Sequence, residues 1–147
     1  VPGGLELYLD AMDLADQEEM ARLAARLVEV RPSPEFTYIG EGPLMSLDGS
    51  FFDLSVPSAA NLELLRRLAW IGEKIGAVAA LIHAIAPMPL ETPLSDSLRV
   101  RKLEESLPLV AHYRHVTQGA GLSPMLENIP PVARQRRKRA PPRRFRT

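Results

Sequence analysis

Two short, almost wholly apolar runs limit what this chain can fold into more than any other feature: residues 77–85, AVAALIHAI, and residues 123–131, SPMLENIPP. Each is shorter than a buried helix and long enough for a strand. Neither alternates apolar with polar, so both faces of each strand are expected to be covered, as in a parallel sheet lined by helices. Each run then gives up its apolar character near its end. The first carries a lone His83; the second carries Glu127 and Asn128 before Pro130 and Pro131 stop it. An ionised carboxylate is costly to bury without a partner. Strands of this kind therefore end on a polar site, and here each delivers one metal-capable side chain.

The remaining pattern supplies the elements between and before them. Residues 4–10 alternate, with Leu5, Leu7 and Leu9 on one face and Glu6, Tyr8 and Asp10 on the other. Asp16, with Glu19 three residues on, reads as the start of a helix whose apolar side is Met20, Leu23, Ala24, Leu27 and Val28; Pro32 and Pro34 end it. Residues 36–39 read as a short strand running into Gly40-Glu41-Gly42-Pro43, and a polar, glycine-bearing loop follows through Asp48-Gly49-Ser50 to Pro57. Ser58 suits the N-cap of a second helix that turns Leu62, Leu65, Leu68, Ala69 and Ile75 inward, and Gly76 suits its C-terminal cap. Ser97 is expected to cap a third helix carrying Leu103, Leu107 and Val110, with Pro108 kinking or restarting it and Gly119 and Gly121 closing it. The order strand, helix, strand, helix, strand, helix, strand predicts an α/β fold built of right-handed βαβ units. A doubly wound sheet and part of a (β/α)8 barrel both fit. No glycine-rich nucleotide fingerprint or P-loop follows a strand, and Glu41, His83 and Glu127 all fall at carboxyl ends of strands, where barrels carry their chemistry. That favours the barrel.

Composition bounds the function classes. With 147 residues and 46% apolar residues, the chain has material for one domain with a core. It has no cysteine, which removes disulfides, zinc–thiolate sites and thiol nucleophiles, and a reducing cytoplasm is the natural compartment. No apolar run approaches the ~20 residues needed to span a bilayer, so no membrane partner is expected. The net charge of zero conceals a division. Eight of the eighteen basic residues lie between Arg134 and Arg146, while all eighteen acidic residues lie at or before Glu127. Residues 1–133 thus hold ten basic and eighteen acidic side chains, a net of −8. The chain divides into a barrel-like domain, residues 1–132, and an Arg/Pro-rich tail, residues 133–147. The tail reads as disordered or out-of-frame sequence. Its alternative, a phosphate-neutralising arm for nucleic acid, is disfavoured by the acidic body.

His83 and Glu127 pair an imidazole with a carboxylate, a donor set suited to a divalent cation such as Zn, Mn, Mg or Co. The plainer reading makes His83 a satisfied core histidine and Glu127 an arginine partner. Glu6 and Tyr8, on the face away from the leucines, are expected to line a barrel interior near the site if they are more than a polar strand end. His112 and His115 are read as a solvated helix face, Trp70 as packing, and Ser55 and Ser58 as lacking a base, Ser58 being a helix cap.

On these residues the chain resembles the xylose isomerase-like TIM barrels, the superfamily of sugar phosphate isomerases and epimerases and of AP endonuclease family 2 (endonuclease IV). The likeness runs from about Gly4 to Val132. It is carried by Gly4-Leu5-Glu6-Leu7-Tyr8, Asp53-Leu54-Ser55, Ile71-Gly72-Glu73-Lys74-Ile75-Gly76-Ala77, Leu81-Ile82-His83 and Leu126-Glu127-Asn128-Ile129-Pro130. The resemblance implies His83 and Glu127 as metal ligands, Glu127 as the catalytic carboxylate, and Glu6, Tyr8, Glu41 and Asn128 as substrate-binding. It also implies a divalent metal cofactor and a small sugar or sugar phosphate as substrate. Gly40-Glu41-Gly42 stands where endonuclease IV has a histidine, which speaks against a trinuclear zinc nuclease. A complete barrel takes about 250 residues. About four parallel strands alternating with helices therefore predict a partial (β/α)8 barrel, a fragment inactive alone and, with two open sheet edges, a candidate homo-oligomer.

Overall fold

The computed structural model describes residues 3–84 and 95–127. Four strands and three helices alternate: β1 (Gly4–Tyr8), α1 (Gln17–Glu29), β2 (Thr37–Glu41), α2 (Ala59–Ile75), β3 (Ala79–His83), α3 (Asp96–Gly119) and β4 (Ser123–Glu127). The sheet is parallel throughout and its order is β1-β2-β3-β4. Such an order steps one way around a barrel; a doubly wound sheet would reverse at a switch point. The α/β architecture expected from the alternation is present, as a four-stranded arc of a (β/α)8 barrel. Among the described residues no helix is long and apolar enough to cross a membrane.

Register decides which residues share a face, because partners in a parallel pair point the same way. Glu6 pairs with Ile39, Ile39 with Ala79 and Ala79 with Ser123. Glu6, Tyr8, Glu41, Leu81, His83, Met125 and Glu127 therefore lie on one side. Leu7, Tyr38, Gly40, Ala80 and Ile82 lie on the other, under the helices. There the Tyr38 hydroxyl donates to the Leu27 carbonyl of α1 at 3.0 Å. The core between sheet and helices is built from Leu64, Leu65, Leu68, Ile71 and Ile75 of α2 with Leu14, Ile82, Leu109, Tyr113 and Leu122.

The helix ends follow their sequence signals. Asp16 accepts from the Glu18 and Glu19 amides, and Ser58 accepts from the Asn61 amide. Gly76 takes the left-handed conformation at φ 62° that ends α2, a backbone state that a Cβ would strain.

Three expectations need correction. The third helix starts at Asp96, one residue ahead of Ser97, and continues through Pro108 to Gly119 without restarting. Its buried side is Ser106, Leu109, Tyr113 and Thr117, whereas Leu103 and Leu107 are 66% and 59% exposed. The helix carries two apolar stripes, and the one holding the tyrosine packs on α2 and the sheet. Finally, β4 was expected to be covered on both faces, yet all five of its residues are exposed. It is the edge of the sheet, with no described strand beyond it.

Candidate metal centre

The carboxyl ends of β2, β3 and β4 bring Glu41, His83 and Glu127 together. His83 pairs in register with Glu127. Glu41 pairs with Leu81, but the stagger of neighbouring strands carries its side chain forward to the imidazole. One ligand atom from each residue lies within 4.8 Å of the others. The strand ends are locked from below. Gly42 N donates to Leu81 O at 2.7 Å, Ala84 N to Glu127 O at 3.2 Å and Leu54 N to Ala84 O at 3.1 Å. Gly42 permits that closeness: a Cβ there would lie 3.1 Å from both Ile82 Cγ2 and Leu68 Cδ2.

Burial grades across the trio. The His83 side chain is 5% exposed, Glu41 18% and Glu127 53%, so the site opens on the Glu127 side. His83 Nε2 lies 2.9 Å from Glu41 Oε1 with hydrogen-bond geometry. Its Nδ1 lies 3.4 Å from Glu127 Oε2, and is buried without a hydrogen bond. Glu6 stands beside Glu41. A hydrogen bond to Glu41, with slight burial and the charges of Glu41 and Glu127, holds the Glu6 carboxyl above its ordinary range despite the opposing effect of His83. Two carboxylates, one imidazole with an orphaned nitrogen and an open side form a donor set that fits a divalent cation.

The sequence-derived residues fall out unevenly. His83 and Glu127 meet as the paired strand ends implied. Glu41, assigned from the resemblance to substrate binding, stands among the metal-capable donors. Its place at the carboxyl end of a strand is as the sequence implied: β2 ends on Glu41 and turns its side chain onto the shared face. Glu6 and Tyr8 share that face, and the Tyr8 hydroxyl lies 3.5 Å from the Leu44 amide. Asn128 and the basic tail lie outside the described residues. His115 is exposed, while His112 is half-buried with an unpartnered Nε2, a correction to the solvated face. Among the described residues, neither His112 nor His115 joins a ligand cluster.

One contact near the strand ends had no sequence signal. Lys102 of α3 donates to Asp53 Oδ2 at 2.8 Å and to Ser55 Oγ at 3.1 Å, tying the loop after β2 to the helix after β3. Burial pushes the Asp53 carboxyl up, but the Lys102 and Ser55 hydrogen bonds outweigh it and leave it below its ordinary value. Further down α3, the buried Tyr113 hydroxyl donates to Ala80 O at 2.5 Å and sits 3.4 Å from the Met125 amide, bridging β3 and β4 just beneath the site. Burial pushes that phenol up to about 12.

No family model matches the chain, and no curated protein matches its sequence. Among solved structures it is similar to the crystal structure of a D-tagatose 3-epimerase-like protein, with a TM-score of 0.62 and 13% sequence identity. The match covers 86% of this chain and 44% of that one, so the chain spans less than half the length of the protein it resembles. At that identity the likeness speaks for the fold alone: the chain folds as part of a (β/α)8 barrel.

Proposed function

We propose that this chain is the four-stranded part of a divalent-metal-dependent isomerase or epimerase acting on a small sugar, sugar phosphate or polyol. The observation that carries the reading is the convergence of Glu41, His83 and Glu127 at the carboxyl ends of three adjacent parallel strands. This is the end of a barrel where chemistry collects. The likeness to an epimerase-like protein supports the same class.

A cation held by these donors supplies Lewis-acid polarisation of a carbonyl or hydroxyl oxygen. The residues divide the rest of the work by exposure. His83 is buried and rigidly placed, so it anchors. Glu127 is half-exposed on the open side; it would help hold the ion and would be the carboxylate that exchanges the proton in a 1,2-shift. Glu6 and Tyr8 face the same space from β1 and accept or donate hydrogen bonds to substrate hydroxyls. Asn128 follows Glu127 in sequence and is assigned to the same role. The reading concerns the whole barrel, to which these strands contribute three donors.

Calorimetric titration of the full chain with Mn²⁺ and Zn²⁺ is expected to show one ion bound per chain. Glu127→Gln is expected to abolish that binding while leaving the circular dichroism spectrum unchanged. A variant that binds as tightly as the parent removes the site assignment.

A further inference from the structure

His83 shows its two ring nitrogens to two different carboxylates, and the two contacts differ in kind. Nε2 and Glu41 Oε1, at 2.9 Å, meet the geometry of a hydrogen bond. Nδ1 and Glu127 Oε2, at 3.4 Å, do not, and Nδ1 is sealed from solvent without a hydrogen-bond partner. A neutral imidazole carries one N–H and one bare lone pair. Glu41 accepts at Nε2, so the N–H belongs there and the lone pair belongs to Nδ1. In that neutral ring the Nδ1 lone pair lies 3.4 Å from a carboxylate oxygen, with no hydrogen bond between them. A buried polar atom left so is unfavourable, and a cation in the gap resolves it.

The spacing agrees. A nitrogen and an oxygen each bound at about 2.1 Å to a zinc-like ion, at a tetrahedral angle, stand about 3.4 Å apart. The shorter Nε2 contact is the one expected of an outer carboxylate, which grips a metal-bound histidine by its other nitrogen and fixes both tautomer and ring orientation. Exposure runs the same way: Glu41, at 18%, sits back from the open side, while Glu127, at 53%, stands on it.

We infer that the cation binds at His83 Nδ1 with Glu127 as companion ligand, and that Glu41 is a positioning residue that holds the ring through Nε2 without ligating. The inference rests on the metal-centre reading above and sharpens it, dividing three equivalent donors into two ligands and an orienting group. Glu127 is the exposed member of the trio, so a bound ion would be approached from its side.

The test is nitrogen NMR of the full chain labelled with [15N]histidine and titrated with Zn²⁺, the His83 signals being assigned by their absence in His83→Gln. Zinc is expected to move the Nδ1 resonance into the metal-bound range while Nε2 keeps its proton. Glu41→Gln, which retains a hydrogen-bonding group of the same shape, is expected to weaken zinc binding by about 10- to 100-fold with Nδ1 still the ligating atom. Glu127→Gln is expected to lose binding outright. Ligation through Nε2 overturns the inference while leaving the metal centre standing, and so does a loss in Glu41→Gln equal to that in Glu127→Gln. A parent chain whose His83 signals do not respond to zinc overturns the metal-centre reading itself. The parent spectrum alone identifies the ligating nitrogen, so the outcome stands even if a variant folds poorly.

Discussion

At the scale of single residues, the site depends on side chains whose partners lie forty or more positions away. Lys102 is the clearest case. Its ammonium neutralises the partly buried Asp53 carboxylate and holds Ser55, while both charged side chains keep 20–29% of their surface in water. Water screens the pair and limits what it contributes. Lys102→Met is expected to lower stability by about 1 kcal/mol, read as a fall in the midpoint of urea unfolding at unchanged slope. An unmoved midpoint means the pair contributes nothing measurable. Gly42 matters for the opposite reason, since it is the absence of a side chain that lets β2 pass close over Ile82 and Leu68 and sets the height of Glu41 beside it.

At the scale of elements, α3 is the clamp. It reaches the sheet through one buried hydroxyl, Tyr113, which contacts both β3 and β4 two to three residues below His83 and Glu127. Tyr113→Phe keeps the ring packing and removes only that hydroxyl. The expected loss is about 1–2 kcal/mol, together with faster amide exchange at Met125 in hydrogen-exchange measurements. Protection equal to the parent's at Met125 would show that strand pairing alone holds the β4 edge. The same helix leaves Leu103 and Leu107 exposed while it buries Leu109 and Tyr113. Leucine spacing marks a face as apolar; packing partners decide which of two such faces is buried.

At the scale of the whole molecule, the carboxylates set the response to acid. Asp53 and Glu63 both sit below their ordinary values, Glu63 chiefly through its hydrogen bond from Arg67. A depressed folded-state value means that the stabilisation is present above the unfolded value, near pH 4, and is lost as pH falls through the folded one. Thermal midpoints are thus expected to hold steady from about pH 7 to 5 and to decline below about pH 4. Asp53→Asn is expected to flatten part of that decline. A parent whose midpoint is as high at pH 3 as at pH 6 would show that these contacts do not carry over into solution. Glu6, held above its ordinary range, acts in the reverse sense: its contribution is present at low pH and fades as pH rises through its folded value.

Local pattern was enough for much of this. Apolar runs bounded by prolines and glycines, helical spacing, and the caps Asp16, Ser58 and Gly76 are short-range properties. They determined the alternation of strands and helices and placed His83 and Glu127 at strand ends. The resemblance, read on the same short motifs, pointed to the barrel. What lay beyond local pattern was long-range. Glu41 joins the donors because stagger between parallel strands brings it to His83 rather than to its register partner. Lys102 meets Asp53 only once α3 has docked. Among the described residues β4 is exposed at the edge of the sheet, which its apolar composition does not reveal. Periodicity encodes the kind of element and its faces, but convergence of side chains depends on register and packing between segments far apart in the chain, and only the tertiary structure decides those.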